Sequence, residues 1–112
     1  MQTPLQLTFH GIPASEAAER DVRRWVADLE EVFPRLVSCR VSIEIPHQHQ
    51  QRGRLYRVQV DLGIPGAHLI AGRNADGDPA HADVYLAIRD AFRAARRQLE
   101  GQVRRREDAG VA

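Results

Sequence analysis

Between Val37 and Ile45 the chain alternates without a break. Val37, Cys39, Val41, Ile43 and Ile45 are apolar, and Ser38, Arg40, Ser42 and Glu44 between them are polar. Successive side chains of a strand point to opposite faces, so this segment is a strand with one dry side and one wet side. A sheet containing it needs a covering layer on the dry side only. Two further segments obey the same rule. Leu5, Leu7 and Phe9 alternate with Gln6 and Thr8, and Tyr56, Val58, Val60 and Leu62 alternate with Arg57, Gln59 and Asp61. Pro65-Gly66 suits a type II turn, and a short strand follows around Ala67 to Ala71.

Two helices supply the layer. Ser15 is placed to cap the first, with Glu16 and Glu19 in the opening turn, where carboxylates suit the helix dipole. Ala18, Val22, Trp25, Leu29 and Val32 recur at steps of four and three as one apolar stripe, which Val26 and Phe33 widen and Pro34 ends. The last helix starts between Asp78-Pro79 and Asp83, and its stripe is Tyr85, Ile88, Phe92, Ala95 and Leu99. Fraying is expected after Gly101, although Arg104 to Arg106 could extend the helix. The order β-α-β-β-β-α predicts an α+β, two-layer sandwich: a four-stranded sheet with both helices on one face. The first two strands, joined through a helix, should be parallel, and the other pairs antiparallel hairpins.

A length of 112 residues fits a single domain, read here as residues 1–106 with a disordered tail at 107–112. The 43% hydrophobic share supports one modest core, in which nearly all six aromatic residues are expected. A lone cysteine, Cys39, excludes an intrachain disulfide and a cysteine-based zinc site. It points with the apolar set, as a buried and inert thiol does. There is no apolar run of membrane-spanning length and no signal peptide, so a soluble, cytoplasmic protein is expected.

The net charge of +1 identifies no partner, but the distribution of charge is uneven. All strongly basic side chains are arginine, a pattern that a GC-rich genome also produces and that suits bidentate phosphate contacts. On the first helix, Arg20 and Arg23 each follow a glutamate by four residues, the arrangement of a neutralised, solvated face. The last helix differs. Between Tyr85 and Arg106 it carries Arg89, Arg93, Arg96, Arg97, Arg104, Arg105 and Arg106, against only Asp90 and Glu100. Arg89, Arg93 and Arg97 succeed one another at i, i+4, where like charges cost roughly 0.2–0.5 kcal/mol per pair. An ordinary charged face could alternate signs; a stripe that repels itself points to an anionic partner, and a polyphosphate backbone is the natural one. A second cluster, Arg35, Arg40, Arg52, Arg54 and Arg57, is opposed only by Glu44. Arg52 and Arg54 lie in or beside the polar loop from Pro46 to Gly53, which could reach an RNA groove or simply be a mobile hairpin.

His47-Gln48-His49 could bind a metal with His68 or His81, but no carboxylate or cysteine accompanies the pair and the spacing matches no strong zinc motif. Asp76 and Asp78 read as turn and cap residues. No phosphate-binding glycine loop, serine elbow or carboxylate pair stands out. The expectation is therefore no metal, no cofactor, no small-molecule substrate and no enzymatic activity.

Several stretches carry a family resemblance. Asp83-Val84-Tyr85-Leu86-Ala87-Ile88 and, further on, Arg97-Gln98-Leu99 resemble the final helix of the ribosome hibernation promoting factor and ribosome-associated inhibitor family. This family is also called ribosomal subunit interface or sigma-factor modulation proteins. Leu29-Glu30-Glu31-Val32-Phe33-Pro34-Arg35-Leu36 is similar to its passage from the first helix to the second strand. Ser38-Cys39-Arg40-Val41, Gly53-Arg54-Leu55-Tyr56 and Pro65-Gly66 look like one bacterial branch, and the likeness spans about Leu5 to Arg106. The resemblance implies the same fold. It also implies binding to rRNA of the small ribosomal subunit, at the decoding region across the tRNA and mRNA sites, which blocks translation and preserves idle ribosomes under stress. It carries Arg97 over as a contact; Arg89, Arg93 and Arg96 follow from helical geometry, and Arg104, where the arginines resume after Gly101 and Gln102, is taken as a further RNA contact. The family often has lysines late in its first helix, where this chain has Trp25 and Asp28. The expectation is a short member without the extra C-terminal domain with which long members pair ribosomes, for which pairing would need a separate ribosome-dimerising factor. Two other readings are a stand-alone structured-RNA binder and a protein-interaction module that reads an acidic patch.

Overall fold

The computed structural model describes residues 1–46, 55–72 and 79–110. Strands β1 (Gln6–His10), β2 (Ser38–Glu44), β3 (Arg57–Ile64) and β4 (Ala67–Ala71) form one sheet in the order β1-β2-β3-β4. The β1–β2 pair is parallel, with Leu7 opposite Val41 and Phe9 opposite Ile43. The other two pairs are antiparallel. Helices α1 (Glu16–Val32) and α2 (Val84–Gly110) bring their apolar faces into one core with the sheet's dry side, giving the expected two-layer sandwich.

The parallel pair demands a crossover, and α1 provides it. Ser15 adopts extended backbone, and its hydroxyl accepts the Ala18 amide at 3.1 Å, satisfying one of the orphan donors of the first turn. Replacing Ser15 with Ala is expected to lower the unfolding free energy by about 1 kcal/mol, measured by urea denaturation, with Ser15→Asp close to wild type. At the other end the Phe33 amide closes the last turn on the Leu29 carbonyl at 2.8 Å, and Pro34 prevents continuation.

The β3–β4 hairpin turns through Pro65-Gly66, with Ile64 paired to Ala67. Gly66 has φ +79°, the positive value a type II turn requires at its third residue. Gly72 leaves β4 at φ +85°, and a Cβ there would run into the Val58 carbonyl oxygen, so both conformation and space require glycine.

α2 begins later than Asp78-Pro79. A short 3-10 turn over Pro79–Ala82 comes first, and Asp83 then caps α2: its carboxylate accepts the Tyr85 amide at 2.8 Å and its carbonyl accepts the Ala87 amide. The helix passes through Gly101 and continues to Gly110, beyond both the expected fraying point and the Arg106 boundary. Extending a formed helix gains one hydrogen bond per residue fixed, and Arg104 to Asp108 contains no breaker.

The core is built from Val22, Val26 and Leu29 of α1, Val41 and Ile43 of β2, Val60 and Leu62 of β3, and Ile88, Phe92 and Leu99 of α2, among others. The stripes are placed slightly differently from the sequence reading. Val32 is 47% exposed and Tyr85 43% exposed, while Ala87 and Ala91 are buried in α2. Of the aromatic residues only Phe92 is fully enclosed; Phe9, Trp25, Phe33 and Tyr56 are half-buried at the margin. Cys39 is enclosed as expected, and burial, reinforced by Asp61 and Glu30, pushes its thiol up to about 12, which keeps it un-ionised and unreactive.

Candidate nucleic-acid interface

The wet face of the sheet sets acidic and basic side chains across from one another. Arg57 stands opposite Glu44 with 3.6 Å between charged atoms, Arg40 faces Asp61 in register and bonds Gln6 at 3.1 Å, and His68 lies 3.7 Å from Asp61. Arg57 thus has a carboxylate partner on the sheet, Arg40 is held by the neutral Gln6 amide oxygen, and Arg35 lies apart, beyond the end of α1. Of the second basic cluster, Arg35, Arg40 and Arg57 lie among the described residues. Arg52, Arg54, His47 and His49 lie outside those residues, as do Asp76 and Asp78. Among the described residues no three potential ligands gather as a metal site.

α1 is neutralised in part as expected: the Glu19–Arg23 pair forms and the Glu16–Arg20 pair is replaced by another. Glu19 accepts two bonds from Arg23, and Asp21 pairs with Arg24, three residues on. No Glu16–Arg20 ion pair forms among the described residues.

On α2 the arginines separate into two groups. Arg89 donates to the adjacent Asp90 at 3.1 Å, Arg96 lies 3.8 Å from Glu100, Arg105 bonds Gln102, and Arg106 folds onto the Pro65 carbonyl. Arg93, Arg97 and Arg104 are exposed, and among the described residues none has a carboxylate within ion-pair distance. At 3.6 residues per turn these three fall within about 40° of arc, and their Cα atoms span roughly 16 Å along the helix. They form a line of uncompensated positive charge on a rigid element, and the anchoring of α2 sets its direction. Gln98 donates to the Ile70 carbonyl at 3.1 Å, and Arg106 holds the β3–β4 turn.

A polar cluster at the start of α2 fixes its other end. His81 is buried in the 3-10 turn, with Nε2 at 3.0 Å from Asp90 Oδ2. An ionised carboxylate can only accept, so Nε2 carries the hydrogen. The His81 carbonyl also accepts the Tyr56 amide at 2.9 Å, joining this turn to the approach to β3. The His81 bond, assisted by Arg89, holds the Asp90 carboxyl below the usual range. The sequence hides this cluster: His81 and Asp90 are nine residues apart, and adjacent helical residues such as Arg89 and Asp90 do not ordinarily face each other.

A pH dependence follows. Because the folded carboxyl is more acidic than the unfolded one, the unfolded chain takes up the proton first. The stabilisation is complete well above the ordinary value of 3.8 and is lost as pH falls through the lower folded value. Urea midpoints measured from about pH 6 to about pH 3 should fall less steeply for Asp90→Asn than for wild type. Equal slopes would show that Asp90 contributes nothing to acid sensitivity.

Between α1 and α2 runs an open groove of about 400 Å3. Trp25 and Phe92 face each other there, with ring centroids 6.1 Å apart and planes 16° from parallel. Arg93, Arg96 and Arg97 line it from α2. Each aromatic residue reads from sequence simply as part of its own helix's stripe, and nothing in either stripe places one against the other.

With this geometry the sequence matches the sigma 54 modulation protein / S30EA ribosomal protein family over residues 5–107. The chain belongs to that family. The family is one of ribosome-associated modulation proteins, and the match includes the whole arginine line of α2. The fold is shared with a ribosomal subunit interface protein from Coxiella burnetii, at a TM-score of 0.63 and 14% identity, covering 93% of this chain and 97% of that one. It is shared also with the N-terminal domain of protein Y from Thermus thermophilus, at a TM-score of 0.61 and 22% identity, covering 89% of this chain and 93% of that one. A comparison with curated protein sequences gives no match. Among the described residues no helix is long and apolar enough to cross a membrane.

Proposed function

We propose that this family member binds the small ribosomal subunit in the cytoplasm, on rRNA at the decoding region, and keeps idle ribosomes out of translation. The observation that carries the reading is the line Arg93, Arg97 and Arg104, which lies on a helix anchored at both ends and has no carboxylate partners among the described residues. A row of guanidinium groups carried on a rigid helix neutralises phosphates and releases their counterions, which supplies affinity without chemistry. Inhibition is then occupation of space that tRNA and mRNA need, and no cofactor or catalytic group takes part. Arg89 and Arg96, each shared with a carboxylate, act as secondary contacts; Arg52 and Arg54 would reach the same subunit from the loop.

The test is sedimentation of the protein with purified ribosomal subunits. It should travel with the small subunit at about 50 mM salt and be largely released at about 200 mM, as binding dominated by phosphate contacts requires. Absence from the small-subunit fraction at every salt concentration would sink the reading.

A further inference from the structure

We propose that the groove between α1 and α2 receives a single unpaired nucleobase of an RNA strand, stacked on Trp25, while the adjoining phosphates lie on Arg93 and Arg97. The inference rests on the RNA-binding reading above and adds to it a base-binding site.

The composition of the groove narrows what can enter it. Trp25 is half-buried against Phe92, which is itself 2% exposed, so the indole covers the core and presents its remaining surface to the groove. A flat aromatic surface beside guanidinium groups is the arrangement that stacks bases and tracks a phosphate backbone. Two carboxylates, Asp28 and Glu100, line the same groove. They exclude phosphate from its interior and keep the anionic backbone at the arginine side. The same carboxylates accept hydrogen bonds from amino groups, such as those on the edges of cytosine, adenine and guanine. A neutral, planar group with donors on its edge, carried on an anionic chain, satisfies all three features together. The volume of about 400 Å3 lies within the range of ligand clefts. Phosphate contacts position a strand but do not read it, so this groove gives the protein a hold on a base that the arginine line lacks.

Trp25 is the chain's only tryptophan, so its emission reports this groove alone. The full-length protein is titrated at low salt with six-residue oligocytidylate and oligoadenylate, and separately with inorganic polyphosphate as a backbone without bases. Binding is followed by competition against a labelled oligonucleotide. Both oligonucleotides should bind and quench Trp25 emission, while polyphosphate should compete for binding without quenching. Trp25→Phe should keep oligonucleotide affinity within a few-fold, and Trp25→Leu should lose about 5- to 150-fold, with circular dichroism confirming the fold of each. Oligonucleotides that bind without quenching overturn the base site and leave the phosphate contact standing. Quenching by polyphosphate to the same extent overturns it as well, as does failure of the oligonucleotides to bind. Co-sedimentation with the small subunit reads the underlying function separately in every case.

Discussion

Changing Arg93 and Arg97 together to glutamate is expected to lower affinity for the small ribosomal subunit by on the order of a hundredfold and to leave the fold intact. The two positions carry the largest expected effect because neither guanidinium has a carboxylate partner among the described residues. No ion pair therefore has to be broken before a ligand meets the charge they present. Reversal removes two phosphate contacts and places like charges against the backbone. The salt dependence should flatten with the affinity, by about one unit of slope for each phosphate that is no longer neutralised. Stability should change by no more than about 0.5 kcal/mol, because both side chains are exposed and the present stripe already repels itself at i, i+4. The matched control is Arg23→Glu with Arg24→Glu on α1, two positions that already have acidic partners. If that control weakens binding as much as the α2 pair, the contact is diffuse and the arginine line is not its centre.

The same contrast shows how far the sequence could be read. Strand β2 and its neighbours were legible because a buried face imposes period two on their side chains, and the parallel β1–β2 pair followed from the helix between them. The arginine-rich side of α2 was legible because charge density survives without coordinates. Partner assignment was not. Arg89 pairs with its chain neighbour, Arg106 with a turn forty-one residues earlier, and Arg24 with Asp21 in place of the anticipated Glu16–Arg20 contact. Such choices depend on where long flexible side chains come to rest, which helical spacing alone does not determine. Tyr85 misled for a related reason: it falls on the apolar period, but in the first turns of α2 Ala87 and Ile88 take the buried positions. The Trp25–Phe92 groove arises only once two separate stripes are packed together, so neither helix announces it.

Phe92→Ala is expected to destabilise the domain by roughly 3–5 kcal/mol, a large part of the roughly 5–15 kcal/mol that holds a typical domain together. Phe92 is among the largest fully buried side chains, and its ring lies against Trp25. Its removal opens a cavity where α1, α2 and the sheet meet. α1 reaches α2 through this contact, so the loss falls on the helix pair more than on the sheet, whose ladder remains complete. Phe92→Leu, which keeps most of the volume, should cost less than half as much, and the difference separates cavity from chemistry. Urea unfolding gives the stabilities; the emission maximum of Trp25 should shift to the red in Phe92→Ala while the variant is still folded, because water reaches the indole from the vacated side. A folded Phe92→Ala variant of wild-type stability and unshifted emission would mean that the two helices are held together elsewhere. At subunit concentrations where the folded fraction stays near one, the same variant should bind less tightly than Phe92→Leu. Arg93 follows Phe92 directly and Arg97 stands little more than a turn beyond it, and a looser helix holds its charges in line less well.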